Sequence, residues 1–579
     1  MASYKAPVAE INFVLNDVLN VDELSGLPAF TDASPDVIRG VVDEAAKFIE
    51  RELAPLNRKG DEIGCKYDNG RVSVPPGFAE AYRHFVEGGW VGLANPMEYG
   101  GQGLPFILSK VVGEMVCTAN VAFELYVGLT QDCFEAILAN GTEEQKQIYC
   151  HKLATGQWTG TMCMTEPQAG SDVGAVRTKA IPQGDGSYAI EGQKIFITSG
   201  EHGMADNIIH FTLARLPDSP SGVKGLSTFV VPKFLVKPDG SLGARNDVRC
   251  VSIEHKMGMH GSCTCTMSFE GAKGWLVGQP NQGIQNMFVM MNLARIMVGF
   301  QGLGLCELAT QNAIRYAQER KQGKAFSGGE AIIEHPDVRR MLLHMKAVTE
   351  AARVLAYETA KYMDLAHHHP DTAVSEAAQD WVELNTPLVK GFCTDAAVEL
   401  ASMAIQVYGG HGYIREHGIE QILRDSKILC LYEGTNGIQA MDLVRRKLML
   451  HGGRLPQRFF AAVRADLATG PDWMTGPLAK AVDSLEACTH WLQRSFKDQP
   501  NDAAFGCGDY LRAFSLTYLG WNWLRMLRAA EKAGDARLRQ GKRATAAYFV
   551  GRVLPQAQSL CAVVSSSADE MMSLATENF

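Results

Sequence analysis

Four short segments hold residues whose types and spacing suit chemistry. The first is Leu431-Tyr432-Glu433-Gly434-Thr435-Asn436-Gly437-Ile438-Gln439. A carboxylate flanked by glycine can serve as a proton acceptor, and it can equally be a solvated or capping group. Asn436 and Gln439 have capping-box spacing, which predicts a helix start there, with Glu433 just before it in a connection between helices. The second is Met162-Cys163-Met164-Thr165-Glu166-Pro167-Gln168-Ala169-Gly170-Ser171-Asp172. Gly170 followed by Ser171 gives a turn with backbone N–H groups and a hydroxyl that can cradle a pyrophosphate; an ordinary loop entering a β domain reads the same way. The third is Gln193 to Gly200, where Phe196 and Thr198 are expected on one face of a strand. A ring and a hydroxyl on one face suit a flat heterocycle, and they also suit a core strand ending in a turn. The fourth is Gln406-Val407-Tyr408-Gly409-Gly410-His411-Gly412-Tyr413. Its glycines permit close backbone approach. It lacks the Lys-Ser/Thr ending of a P-loop and no strand precedes it, which leaves a binding loop or a helix end with a tight turn.

The elements that must position these segments follow from hydrophobic periodicity. Residues 35–155 read as helical, with Asp36–Arg51, Phe78–Gly88, Leu108–Cys117 and Glu143–Leu153 carrying apolar residues at helical spacing. From Trp158 to Val277 the pattern alternates and is rich in turns, and Asp185-Gly186 and Asp239-Gly240 mark tight ones. Helix returns after Gln282, and Val338, Leu342, Met345, Val348, Ala352 and Leu355 form one stripe of a bundle. The stretch His451–Pro477 reads as a separator. Beyond it, Leu478, Val482, Leu485 and Leu492 mark one amphipathic helix, Leu511, Phe514, Tyr518 and Trp521 a second, and Phe549–Val564 a third. The expected fold is α+β and mainly α: a helical N-terminal domain (1–156), a β domain (157–278), a four-helix bundle (279–455) and an additional C-terminal helical domain (470–579).

The 579 residues suffice for about three to five domains at the usual domain size. A net charge of −9 gives no general attraction to nucleic acid or anionic membrane, so any substrate phosphate must be met locally. No apolar run reads as membrane-spanning, and residues 1–14 show no secretory pattern. The 14 cysteines are scattered without metal-ligand spacing, as expected of buried thiols in a reducing cytoplasm. His367-His368-His369 are adjacent and cannot easily converge on one ion; with Pro370 and Asp371 they read as a helix end, and no metal is expected.

Taken together, the segments resemble the acyl-CoA dehydrogenase family over residues 80–450. The resemblance is carried by Thr165-Glu166-Pro167 with Gly170-Ser171-Asp172, Gln193–Gly200, Lys256-Met257-Gly258-Met259, Glu319-Arg320, Tyr408–Gly412 and Tyr432-Glu433-Gly434-Thr435. The length, Ser3-Tyr4-Lys5-Ala6-Pro7 and the helical extension look most like the 3-methylmercaptopropionyl-CoA dehydrogenase subgroup.

The resemblance implies an FAD enzyme that converts an acyl-CoA thioester to its trans-2-enoyl form. Glu433 would remove the α-proton while the β-hydrogen leaves as hydride to flavin N5. Met164, Thr165, Gly170 and Ser171 would line FAD. Phe196 and Thr198 would face the isoalloxazine, with Thr198 near N5. Arg320 would reach FAD phosphate in a neighbouring subunit, and Gln406, Gly410 and Thr435 would add contacts. Ser171, Asn292, Arg295, Tyr432, Glu433 and Gly434 would meet the acyl-CoA. The resemblance further implies electron-transfer flavoprotein as acceptor. The added amphipathic helices predict a homodimer, since they would cover the surface smaller relatives use to form tetramers, and the thiols and net charge predict a cytoplasmic protein with no nucleic-acid or membrane partner. The acyl group stays open, from 3-(methylthio)propanoyl to a short, medium or long fatty chain.

Two positions depart from the family pattern: Phe196 stands where a tryptophan is usual, and Gly323, after Arg320, where phenylalanine is common. Some relatives carry the base just before the arginine matched by Arg295; here that position is Ala294, which favours Glu433. Two other readings use the same fold. One is an acyl-CoA oxidase. The other is a DNA-binding relative, for which the Arg537, Arg539, Lys542 and Arg543 cluster is short and lacks interleaved aromatics.

Overall fold

The computed structural model describes residues 2–579, which divide into two compact units: residues 47–297, and residues 2–46 together with 298–579. The helical N-terminal region, the middle β region, the bundle and the C-terminal helices are all present, as the periodicity predicts.

In the unit 47–297, the helices Phe78–Glu87, Phe106–Asn140 and Glu143–Ala154 precede the sheet. The last of these starts at a capping box, in which Thr142 Oγ1 accepts from Gln145 N–H and Gln145 Oε1 accepts from Thr142 N–H. Phe106–Asn140 is longer than its periodicity suggests because two helices run together across Asn120, whose backbone is non-helical. The Asn120 side chain accepts from Phe123 N–H at 3.1 Å and so caps the second half.

The eleven strands are β1 Lys66–Asp68, β2 Arg71–Ser73, β3 Trp158–Cys163, β4 Lys179–Pro182, β5 Tyr188–Thr198, β6 Asn207–Arg215, β7 Leu226–Pro232, β8 Phe234–Val236, β9 Leu242–Arg245, β10 Val248–Ile253 and β11 Thr264–Val277. Seven of them form one sheet in the order β10-β11-β5-β4-β6-β3, with β7 joining β11 to β6. All pairings are antiparallel except β3–β6 and the single-residue contact of β4 with β6. Trp158, Phe211, Leu213, Val230 and Val277 of this sheet share a core with Phe134, Tyr149, Met287 and Met290 from helices.

The sequence shows no obvious membrane-length run, yet two helices are long and apolar enough to cross a membrane: Phe106–Asn140 and Gly283–Glu319, each with a mean hydropathy of 1.4 over its most apolar window. Those windows are 83% and 72% buried inside the protein, so their composition is accounted for by core packing.

In the other unit, the bundle consists of the later part of Gly283–Glu319 with Pro336–His368, Thr372–Tyr408 and Asn436–Arg445. The expected separator is instead the helix Arg454–Leu467, and Pro477 lies inside the helix Asp472–Asp498. Leu455, Phe459, Phe460 and Val463 bury one face of the former, while Arg454 and Arg458 both pair with buried Asp380. These contacts override the local Gly and Pro signals. The helix Cys507–Lys532 is buried nearly all round rather than amphipathic. It lies so close to Thr372–Tyr408 that a Cβ on Gly391 would stand 2.9 Å from Leu511. Asn522 and Trp523 donate to the carbonyls of Ala351 and Ala347, and Tyr518 donates to Glu358. The apolar faces of the extension are thus covered by the bundle. Lys542, of the short C-terminal basic cluster, is buried and paired with Glu10 and Glu350, which ties the N-terminal residues into the same unit.

Candidate active site

In the unit 47–297, β3 delivers the chain to Met164, and the loop from Met164 to Thr178 folds around one carboxylate. Glu166 is 4% exposed. It receives Lys194 Nζ at 2.8 Å, Thr178 Oγ1 at 2.6 Å, and the backbone N–H groups of Arg177 and Thr178. Burial alone would raise its pKa, but Lys194 and these donors hold it at about 2. Lys194, fully buried, is pulled down by burial and up by Glu166. Lys194 also donates to Met164 O at 3.0 Å, and Ile195 N–H donates to Thr165 O at 2.9 Å. The Met164–Ser171 and Phe196–Thr198 segments are therefore held together. Gly170 and Ser171 lie exposed on the loop, with no atom within 4 Å of a Cβ built on Gly170.

Strict alternation does not place Phe196 and Thr198. Cys265 faces Ile197 while Met267 faces Lys194, so Ile195 and Phe196 together oppose Thr266 in a bulge. Phe196 takes a left-handed φ of 59°, and Ser199 one of 57°. A bulge re-aims side chains: Phe196 ends 59% exposed and Thr198 half-buried, with Ile197 buried between them. Asn292 and Arg295, one helical turn apart on Gly283–Glu319, share a face, and Arg295 donates weakly to Asn292 at 3.4 Å. Ala294, beside them, is buried.

In the other unit the candidate residues form two clusters. At the first, Arg320 follows the end of Gly283–Glu319, and its backbone carbonyl receives Ile332 N–H at 2.8 Å at the base of an extended finger. Among the described residues, no acceptor lies within hydrogen-bond distance of the Arg320 side chain. One turn earlier, Tyr316 stacks on Tyr408 at 3.9 Å and hydrogen-bonds His411. Tyr316 thus ties the end of that helix to the turn Gly409–Tyr413, with Gln406 exposed just before it. A Cβ on Gly412 would stand 2.4 Å from Ile405 O, so this close turn requires glycine, whereas Gly409 and Gly410 face open space.

The second cluster is the Glu433 turn, docked on Thr372–Tyr408 about 20 Å along that helix from the first, at 1.5 Å per residue. Glu433 is half-buried, with φ 55°, and Gly434 follows at φ 84°. The helix Asn436–Arg445 does start here, but its cap is Thr435, whose Oγ1 accepts from Ile438 N–H at 3.3 Å. Asn436, expected to cap, is drawn away instead. Its amide bonds Gly391 O, Thr394 Oγ1 and Asp395, and it accepts from Lys390 at 2.8 Å. Gln439 is likewise no capping-box partner: its Nε2 donates to Glu433 O at 3.2 Å and Gly434 O at 3.3 Å. Tyr432 donates its hydroxyl proton to Gln301.

Sequence reasoning missed Glu166, Lys194 and Gln439 as organisers of these loops. Glu166 and Lys194 lie inside the Met162–Asp172 and Gln193–Gly200 segments, but no spacing in the sequence marks them as partners. The left-handed backbone at Phe196 and Glu433 carries no sequence signal, since neither is a residue type that favours it.

Family models match most of the chain: the acyl-CoA dehydrogenase N-terminal domain at residues 37–157, its middle domain at 161–272, its C-terminal domain at 281–448, and an acetyl-CoA dehydrogenase C-terminal-like domain at 459–575. The 3-methylmercaptopropionyl-CoA dehydrogenase of Ruegeria pomeroyi is 42% identical, over 98% of this chain and 99% of its own. A chain in the structure described as the electron transferring flavoprotein of Acidaminococcus fermentans is 30% identical, with a TM-score of 0.60 over 71% of this chain and 98% of that one. An acyl-CoA dehydrogenase complexed with FAD from Bacillus anthracis shares the fold, with a TM-score of 0.75 at 22% identity over 98% of this chain and 94% of that one. Conserved order of all the family's domains and near full-length identity to a curated relative lead to one assignment: the chain belongs to the acyl-CoA dehydrogenase family.

Proposed function

We propose that this chain is an oxidoreductase that dehydrogenates an acyl-CoA thioester between Cα and Cβ, with Glu433 as the base. The observation that carries the assignment of the base is the turn itself. Glu433 is a non-glycine residue held half-buried in a left-handed conformation by bonds to its own and the next carbonyl. Strained backbone of this kind persists only where surrounding contacts enforce it, and it clusters at reacting sites. A thioester α-proton is weakly acidic, so a fixed carboxylate at hydrogen-bond reach is the group the reaction needs. Charge that builds on the thioester oxygen calls for hydrogen-bond donors, and the Glu433 backbone N–H would be one.

The residues also fit FAD, whose isoalloxazine supplies the hydride acceptor. Phe196 presents an uncovered aromatic face beside the Thr198 hydroxyl, and Met164, Thr165, Gly170 and Ser171 lie on the loop bonded to that strand. The Arg320 guanidinium would meet a phosphate of the same cofactor in a neighbouring copy, and the open turn at Gln406 and Gly410 would add contacts. Thr435 would be a further contact, and Ser171, Asn292, Arg295, Tyr432 and Gly434 would meet the acyl-CoA. Electron-transfer flavoprotein is the expected acceptor, the relative from Acidaminococcus fermentans pointing the same way. The extension covers bundle surface, which supports a homodimer, and the free thiols fit the reducing cytoplasm.

The test is anaerobic mixing of the yellow protein with a panel of acyl-CoA thioesters that includes 3-(methylthio)propanoyl-CoA. Flavin bleaching by at least one thioester is expected, and none bleaching a fully FAD-loaded protein would defeat the reading. Oxygen consumption during turnover would favour an oxidase instead.

A further inference from the structure

We propose that Gln439 is a positioning residue for the base, an inference that rests on Glu433 being that base. Two successive left-handed residues, Glu433 and Gly434, turn their carbonyls into the protein rather than into a helical ladder. Carbonyls turned inward and left without donors would destabilise the turn. One amide serves both: Gln439 Nε2 lies 3.2 Å from Glu433 O and 3.3 Å from Gly434 O. Gln439 is 1% exposed, and its own backbone N–H is fixed on Thr435 O at 3.0 Å, so the amide is set by the helix and cannot follow the turn. A Cβ on Gly434 would stand 2.9 Å from Gln439 Nε2, so the amide and the glycine fit one another closely.

Because peptide groups are planar, fixing the Glu433 carbonyl fixes the plane that leaves Glu433 towards Gly434. The direction of the Glu433 Cα–Cβ bond is then determined from the C-terminal side. From the N-terminal side the Tyr432 hydroxyl, bonded to Gln301, anchors the preceding residue. Gln439 therefore acts on the orientation of the carboxylate and of the Glu433 N–H without touching substrate. Its neutrality matters as well. A charged donor in its place would stand beside a carboxylate whose protonation is the reaction.

The experiment measures α-proton removal alone. A 3-thia-acyl-CoA has α-protons but no hydrogen at the β position to leave as hydride, so deuterium uptake at Cα in D2O, read by mass spectrometry, reports the base. Gln439→Met keeps the volume and removes the donor; Gln439→Glu keeps the shape and donates only when protonated. With FAD content unchanged and 3-thia-acyl-CoA Kd within about threefold, exchange should fall about 10- to 100-fold in both, the scale of a small misplacement of a reacting group. The ratio of exchange in Gln439→Glu to that in Gln439→Met should rise as pH is lowered, because only the former regains a donor. An ionised carboxylate at 439 in Gln439→Glu would raise the Glu433 pKa and so lower this ratio in acid, which is opposite to the expected rise. Exchange within twofold of wild type in the folded variants, a flat ratio, or a loss that follows melting temperature and FAD content would overturn the inference. Should Gln439→Met not fold, the pH dependence of Gln439→Glu against wild type decides alone. Glu433→Gln is run alongside: if it keeps exchange, Glu433 is not the base and both readings fall; if it loses exchange while the Gln439 variants keep theirs, only the positioning role falls.

Discussion

The two loops that carry the candidate chemistry are held by different physics. The loop from Met164 to Thr178 is built on a buried ion pair, Glu166 with Lys194, with five donors converging on the carboxylate, Gln168 among them. The Glu433 turn is held by the neutral Gln439 amide on its carbonyls and by Asn436 on the neighbouring helix. An ion pair in a dry interior gives a stiff, all-or-none anchor, because either charge left alone is intolerable there. Such an anchor suits a loop that must hold a cofactor and whose own groups do not titrate during the reaction. A proton acceptor is different. In the role proposed for Glu433, a fixed charge bonded to its backbone would bias its protonation, whereas neutral amides would orient it without doing so.

Removing the reacting group should give the largest effect of all. Glu433→Gln should keep FAD and acyl-CoA binding and lose flavin reduction by about 10²–10⁴, the usual scale for a general base. Wild-type bleaching rates in stopped flow would show that the turn is only scaffolding, and the contrast with the cofactor loop would lose its point.

Next in size is the ion pair. Lys194→Met leaves Glu166 buried without its cation and should cost about 3–5 kcal/mol, with FAD lost as the loop opens. Its pH dependence has a definite sign. Glu166 is depressed from 4.5 to about 2, so in the wild type it stabilises fully above about 4.5, and the stabilisation is lost as pH falls towards 2. In Lys194→Met the carboxylate is raised instead, so mild acid should recover part of the lost stability. Melting curves of the two proteins between pH 4 and 7 that run parallel would count against the ion pair as the anchor.

A smaller effect is expected at Arg320, which is part of neither loop. Arg320→Ala should weaken FAD retention by about 10- to 100-fold, the scale of a charge-assisted hydrogen bond, with little change in melting temperature of the apoprotein. Equal FAD affinity in the two proteins would remove Arg320 from the phosphate site.

How much of this was readable beforehand differs between the loops in the same way. The helical stripes and the alternation after Trp158 report burial directly, so the order of regions was legible. At the sites, residue types were legible and conformations were not. Phe196 and Thr198 read as alternate residues of a regular strand, but Ile195 leaves the ladder for Thr165 O, and the resulting bulge sets the ring's direction. Asn436 and Gln439 read as a capping pair because capping depends only on spacing. Their actual partners come from the helix Thr372–Tyr408 and from the turn itself, which spacing cannot show. Residues 451–477 read as a linker because local Gly and Pro signals say nothing of the Asp380 that waits for Arg454 and Arg458.

The smallest predicted effect separates the cap from the latch. Thr435 caps Asn436–Arg445 through Ile438 N–H, while Asn436 and Gln439 hold the turn through bonds that do not involve that hydroxyl. Thr435→Ala should therefore cost about 1 kcal/mol, the usual value of an N-cap, and Thr435→Ser should restore it. If the latch governs the base, α-proton exchange in Thr435→Ala, compared at equal FAD content because Thr435 is also a proposed FAD contact, should fall by no more than a factor of about 5, the equilibrium equivalent of that cap. The helix end can fray by that amount while Gln439, one turn further in, still holds the two carbonyls. Should Thr435→Ala lose as much exchange as Gln439→Met, the start of the helix itself orients Glu433. The two loops would then differ in strength of anchoring and not in kind.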